Sequence, residues 1–326
     1  MRVLVTGATS LLGRSVAANL LAHGDEVTVL QRSPSGLDTS EHLGDITDPH
    51  AVATATDGAD AVIHLAARVS VVGPWEEFAR INVEGTKTVL DAARTAGVTR
   101  FVQVSSPSVA HSGASLVGSE AESADPVTAR GHYARSKAMA EVAALSAADD
   151  LAVVAIRPHL VWGPGDTQLV GRIVERARQG RLAVVGSGMA LIDTTYIDNA
   201  ADAIVAALDK APDLSGRALV VSNGEPRPVK ELFDRILQAA GVPSPRMQVP
   251  AMVAKAGGTV AERVWDRTGR TDDPPMTSFL AEQLSTAHWF DQRETRDLLD
   301  WAPTVSLEEG FRLLAEWFAT PEANRP

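Results

Sequence analysis

Arg2-Val3-Leu4-Val5-Thr6-Gly7-Ala8-Thr9-Ser10-Leu11-Leu12-Gly13 opens the chain, and its reading decides the fold. Arg2 to Thr6 is a short apolar and β-branched run, as in a buried strand. Past the first glycine, Val16, Leu20 and Leu21 recur at helical spacing as far as His23-Gly24, where glycine can cap a helix. Glu26 to Leu30 then reads as a second strand. Strand, glycine turn, helix and strand form the unit that binds a dinucleotide. Gly7 permits the tight turn, the helix N-terminus faces the pyrophosphate, and Gly13 lets the helix pack closely. Any βαβ loop needs glycine for its turn, but the correct flanks on both sides favour binding here.

The end of the second strand bears on which dinucleotide is bound. An acidic residue there would accept hydrogen bonds from the ribose of NAD. The chain has Gln31-Arg32-Ser33 instead, with no carboxylate to repel a 2′-phosphate and a guanidinium to pair with it. NADP(H) is therefore expected, with NAD(H) as the alternative. Strand-like runs continue before Gly44-Asp45-Ile46, at Asp60 to Ala67 and at Arg100 to Val104. Leu65-Ala66-Ala67 leaves room for a cofactor. His64 reads as packed or hydrogen-bonded rather than as a ligand, because no second histidine stands at metal-binding spacing. The apolar loop Ser70 to Trp75 precedes one long amphipathic helix, Glu76 to Ala96, and a polar loop is expected from His111 to Gly131.

Ser105 and Ser106 close the fifth strand, at the end where open α/β sheets place ligands. Beyond the polar loop lies Tyr133-Ala134-Arg135-Ser136-Lys137, leading into good helix formers. Residues four apart share a helix face, so Tyr133 and Lys137 point the same way. A nearby ammonium group and a helix N-terminus both favour the phenolate, so Tyr133 is expected to titrate below an ordinary tyrosine. As an isolated spacing the pair is a surface contact; with the dinucleotide unit it becomes a candidate acid–base pair. The other tyrosine, Tyr196, has no lysine after it, and its neighbours fit a structural turn.

The chain has 326 residues, 45% hydrophobic and 22% charged, enough for a core without a metal or disulfide. It has no cysteine, which excludes disulfides, thiolate metal sites and a cysteine nucleophile. A net charge of −11 argues against a general nucleic-acid binder. No secretory leader or run of about 18 apolar residues is visible, so the expectation is a cytoplasmic protein without an integral membrane segment.

Taken together, the glycine loop, Gly44-Asp45, His64 to Ala67, Asn82-Val83-Glu84-Gly85-Thr86, Ser105-Ser106, Tyr133-x-x-x-Lys137, Arg157-Pro158 and Tyr196 to Asn199 resemble the extended short-chain dehydrogenase/reductases over nearly the whole chain. Ser10 departs from that pattern, standing where the family's middle glycine would be. It adds a β-carbon near the phosphates and a hydroxyl able to bond one. Val104 to Ala110 resembles the 3β-hydroxysteroid dehydrogenase branch. Val72 to Glu76, Arg157 to Asp166, Asp193 to Tyr196 and Pro274 to Asp291 resemble the bacterial 2-alkyl-3-oxoalkanoate reductases of olefin biosynthesis.

The resemblance implies an α/β fold, a Rossmann doubly wound parallel sheet with a smaller, mostly helical C-terminal substrate lobe. It implies a dinucleotide domain over 1–165 and a lobe over 166–326, with 190–222 returning to the first domain. Ser106, Tyr133 and Lys137 would be catalytic, with Ser105 the rival serine. Gly7, Thr9, Ser10, Leu11, Leu12, Gly13, Arg32, Asp45, Ile46, Leu65, Ala66, Ala67, Asn82, Tyr133, Lys137 and Pro158 would hold the cofactor, and no metal is expected. The substrate would be a small apolar acyl or sterol-like ketone, and the assembly a homodimer through the Glu76–Ala96 and Tyr133–Leu145 helices. The competing functions are a sugar-nucleotide epimerase or dehydratase, a 3β-hydroxysteroid dehydrogenase and a non-catalytic dinucleotide-binding protein.

Overall fold

Alternation in the first strand fixes how the molecule is layered. In β1 (Arg2–Thr6), Val3 and Val5 enter one core cluster and Leu4 enters another, as the two-residue period of a strand demands. Both faces of β1 are therefore buried, and helices must cover each. α1 (Leu11–Ala22) packs on one face together with the helix Ile197–Lys210, over Val29, Ile63, Val102 and Ile156. Pro49–Thr56, Gly85–Thr95 and Gly131–Leu145 cover the other, over Leu30, Val62, Phe101 and Val153.

In this computed structural model, which describes residues 1–70, 72–110, 113, 115–268, 274, 276–321 and 323, seven parallel strands form the central sheet. Their spatial order is Arg217–Val221, Ala152–Pro158, Arg100–Val104, Ala61–His64, β1, Glu26–Gln31 and Ser40–Leu43. The direction of strand succession reverses beside β1, and such a switch point opens a crevice at the strands' carboxyl ends. Val71, His111, Asp272, Asp273, Pro275 and the side chain of Asp266 lie outside the described residues.

The second half builds a smaller layer. Trp162, Ile173, Phe233, Ile236, Phe311 and Leu314 form its core. A four-stranded sheet there joins Arg227–Pro228, Leu191–Ile192, His288–Phe290 and Leu116–Ser119. Two expectations change. The stretch from His111 to Gly131 is not all loop, because Leu116–Ser119 pairs in parallel with His288–Phe290 across more than 160 residues of chain. The long helix is also interrupted: Trp75–Phe78 and Gly85–Thr95 are α-helical, but Ala79–Glu84 between them is a π-helical segment. Such segments concentrate at functional sites.

Candidate active site

The crevice at the switch point is a cleft of about 560 Å³, lined by Gly7, Thr9, Ser10, Leu11, Leu12, Arg32, Asp45, Ile46, Leu65, Ala66, Ala67, Tyr133, Lys137 and Pro158. Its size lies in the range of small-molecule pockets. Gly7 has φ +81°, and a β-carbon there would lie 2.9 Å from the Ala66 backbone. Gly13 stands behind the wall. A β-carbon on it would come 2.4 Å from the Gly7 carbonyl oxygen, so this glycine lets α1 press against the loop that precedes it.

Ser10 needs no glycine-like backbone, since its φ is −72°. Its hydroxyl donates to the Gly7 carbonyl at 2.9 Å and accepts from the Gly13 N–H at 3.0 Å. Among the chain's own groups the hydroxyl thus makes a helix cap, and the serine holds the start of α1. Asn82 spends its side chain on backbone beside the cleft. It is buried at 1% exposure in the π-helical segment and does not reach the cleft. Its side chain accepts from the Arg68 N–H at 2.7 Å, donates to the Arg68 carbonyl at 3.2 Å and donates to Ser136 Oγ at 2.9 Å. It ties the loop after the fourth strand to the helix that carries Tyr133.

His64 is held by hydrogen bonds on both ring nitrogens. Thr86 Oγ1 donates to the Asn82 carbonyl at 2.7 Å, so it accepts from His64 Nε2–H at 3.0 Å. Nδ1 then accepts from Thr6 at 2.7 Å. Burial, with Lys137 nearby, pushes His64 down to about 3, so it is a neutral packing residue.

Tyr133 and Lys137 project from the first two turns of Gly131–Leu145 into the cleft. Lys137 is 4% exposed and donates from Nζ to the Val104 carbonyl at 2.6 Å. Burial lowers it to about 8, with Glu141 opposing the shift. Glu141 in turn is locked to Arg157 in a fully buried pair, at 3.0 Å and 2.5 Å. Tyr133 departs from expectation: burial raises it to about 12, against the pull of Ser106. The removal of water from the phenol outweighs the Ser106 hydrogen bond, so Tyr133 holds its proton firmly.

The two serines separate. Ser105 and Lys137 line only the cleft, and Ser105 Oγ is buried without a hydrogen-bond partner. Ser106 and Tyr133 line both the cleft and an adjoining pocket of about 220 Å³. Ser106 Oγ lies 3.0 Å from Ser108 Oγ. Leu160, at φ +44°, also faces both cavities, a strained backbone for a leucine. Tyr196 is remote from this junction, 2% exposed and edge-on to Trp162 at 5.6 Å. Val69, Leu116, Phe279 and Phe290 supply the pocket's apolar wall. The sequence reading assigned none of these four a role, nor Arg172 or His288. Only tertiary pairing brings them together, and local spacing carries no signal of it.

The cleft's donor set fits a nicotinamide dinucleotide. Gly7 leaves no room for a side chain, and Arg32 stands on the cleft wall near Asp45. Burial acts to raise Asp45, but bonds from the Thr47 N–H and hydroxyl, with Arg80 and Arg32 nearby, hold it below the usual carboxylate range. A model of the NAD dependent epimerase/dehydratase family matches residues 3–222.

The chain belongs to that family.

Within it, a 2-alkyl-3-oxoalkanoate reductase of Stenotrophomonas maltophilia (strain K279a) is 41% identical, with 96% of this chain and 98% of the relative covered. A 3 beta-hydroxysteroid dehydrogenase/Delta 5-->4-isomerase of Mycobacterium tuberculosis is 31% identical over 95% of this chain and 88% of its own. Among solved structures, the DesIV dTDP-glucose 4,6-dehydratase of Streptomyces venezuelae, with NAD and DAU bound, superposes with a TM-score of 0.77. It is 24% identical, covering 99% of this chain and 98% of that one, and shows the shared fold. This member of the extended short-chain dehydrogenase/reductase family is an NAD(P)-dependent oxidoreductase. No helix among the described residues is long and apolar enough to cross a membrane.

Proposed function

We propose that the protein interconverts a ketone and a secondary alcohol with NADP(H), and that its substrate is a 2-alkyl-3-oxoalkanoate, reduced to the 3-hydroxy acid as in olefin biosynthesis. The observation that carries this reading is the wall shared by cleft and pocket, where Ser106 and Tyr133 face both cavities. The reduced nicotinamide, when bound, supplies the hydride. The chain's own part is to hold the ketone oxygen and protonate it. Ser106 orients that oxygen by hydrogen bonding. As a C–H bond forms at the carbonyl carbon and the C=O π bond breaks, the Tyr133 O–H proton passes to the oxygen. Lys137, on the same cleft wall, favours the phenolate left behind, and water restores the proton. Arg32 favours NADP, being a guanidinium on the cleft wall at the adenosine end. The relatives named for 2-alkyl-3-oxoalkanoates and sterols support an apolar substrate. A homodimer through the helices on the Tyr133 side of the sheet is part of the same reading, and light scattering tests it.

A 3-oxo acid decarboxylates in solution, so the assay is best run backwards. Purified protein is mixed with NADP and a 2-alkyl-3-hydroxyalkanoic acid or its methyl ester, and nicotinamide reduction is followed. Turnover that disappears in Tyr133→Phe supports the reading. If neither compound reduces NADP or NAD, the proposed activity is wrong. If NAD serves better than NADP, the role given to Arg32 is wrong.

A further inference from the structure

Leu160 holds a backbone that this chain otherwise gives to glycine. Its φ is +44°, and among the described residues the other positive φ values belong to glycines and to Asp300. Asp300 ends the helix Arg293–Leu299 in a left-handed cap, which aspartate tolerates. In leucine the β-carbon crowds the following carbonyl, and no hydrogen-bonding side chain offsets the cost.

The neighbours fix this conformation. Before it, the His159 N–H donates to the Val221 carbonyl at 2.9 Å, and Thr195 Oγ1 donates to the His159 carbonyl at 2.7 Å. After it, Val161 and Trp162 pair in parallel with Thr195 and Tyr196. The Leu160 carbonyl itself accepts from the Thr195 N–H at 3.3 Å. The backbone therefore stays in place when the side chain changes, and glycine would be free of the strain. A large side chain kept under these conditions points to a task for that side chain.

Its position supplies the task. Five residues line both the cleft and the pocket: Val69, Ser106, Tyr133, Leu160 and Gln168. Ser106, Tyr133 and Gln168 are polar. Val69 is 61% exposed, whereas Leu160 is half-buried and packs against the cluster that holds Trp162 and Phe311. Leu160 is thus the apolar edge of the junction that the core holds in place. In the reaction above, the carbonyl carbon must sit at this junction, within reach of Ser106 and Tyr133. Carbon 2 is one bond away, so its hydrogen and its alkyl branch meet the same wall, while the chain ends lie deeper.

We propose that Leu160 determines specificity at carbon 2 of the substrate, admitting the alkyl branch in one configuration and excluding the other by steric contact. The proposal rests on the ketone–alcohol reading above and adds the configuration that the wall selects.

The test uses pairs of 2-alkyl-3-hydroxyalkanoic acids that differ only in configuration at carbon 2, with the unbranched acid as control, and follows NADP reduction. Wild type should favour one epimer by about tenfold or more in kcat/KM. Leu160→Ala and Leu160→Gly should bring the two epimers within about threefold by admitting the poor one, with the unbranched acid nearly unchanged. Leu160→Met, of similar volume, should fall between. In melting, Leu160→Gly should stand about 2–4 °C above Leu160→Ala, because glycine alone of the two is free of the strain. A merely structural role would move branched and unbranched acids alike. That outcome, no wild-type preference, or a preference intact in both small variants overturns the proposal. So does a glycine variant that melts below the alanine one, since the strain would then be absent. Should wild type oxidise none of the acids, the reaction reading fails, yet the wall is still testable. The two enantiomers of a 2-methylalkanoic acid are titrated calorimetrically into the NADPH-loaded protein. Unequal binding that Leu160→Ala evens out upholds the proposal; equal binding, or none, overturns it. If neither small variant folds, the same comparisons with Leu160→Met decide.

Discussion

The cleft assigned to the dinucleotide and the pocket proposed for the substrate share a wall but are assembled in opposite ways. The cleft comes from the carboxyl ends of consecutive parallel strands, and close backbone approach at Gly7, Gly13 and Ala66 shapes it. The pocket draws Ser106, Leu116, His159, Arg172, Phe279 and His288 from segments far apart in the chain. Its far wall hangs on a short parallel pairing, His288–Phe290 with Leu116–Ser119, and on the His159–His288 contact. A site built from backbone is generic and tolerates little change. A site built from side chains of several segments can be retuned one residue at a time.

Substitutions at the shared wall should hurt most, whatever the substrate. Tyr133→Phe removes the proposed proton donor, and kcat should fall ~10²–10⁴-fold with cofactor affinity preserved, measured by steady-state turnover and nicotinamide fluorescence. Next comes the backbone-built side. Gly13→Val drives a side chain into the Gly7 carbonyl, and should cost ~1–3 kcal/mol of stability while weakening NADP and NAD alike. Substrate selectivity should stay unchanged; a change in it would show that the two regions are not separable.

The pH profile sharpens the same division. Lys137, lowered to about 8, is an ammonium below that pH and neutral above it, whereas Tyr133 at about 12 keeps its proton throughout. Turnover in the reducing direction should be level below about pH 8 and fall up to about tenfold per unit above it. A loss on acidification through the neutral range would assign the controlling group elsewhere. On the pocket side, Phe279→Ala should lower kcat/KM for long-chain substrates about tenfold and leave short ones nearly untouched. The smallest effect is expected at Ser10→Gly. Glycine caps a helix nearly as well, so melting should register only a few tenths of a kcal/mol. A large loss of cofactor affinity would instead assign the Ser10 hydroxyl a direct phosphate contact.

The same division explains what was legible in the sequence. Gly7, the alternation of Val3, Leu4 and Val5, and the Tyr133–Lys137 spacing are local, and each depends on a turn, a strand period or a helix period. Asn82 was recognised as belonging near the active site, but its contacts with Arg68 and Ser136 lie behind the wall. The Tyr133 titration was misjudged because neighbouring charges are visible in sequence and the loss of water around a hydroxyl is not. His159 and His288 are 129 positions apart, and no periodicity links them.

The six residues Ala79–Glu84 have one further consequence. A π-helical segment contains one residue more than an α-helix spends on the same rise. Were those six residues to close into an α-helix with none removed, everything on one side would turn by about 100° relative to the other. Asn82 could then keep its grip on Arg68, or Val89, Leu90 and Ala93 could keep their places against the sheet, but not both. The surplus residue works as a phase correction, letting a single rod obey two partners whose demands no regular spiral meets.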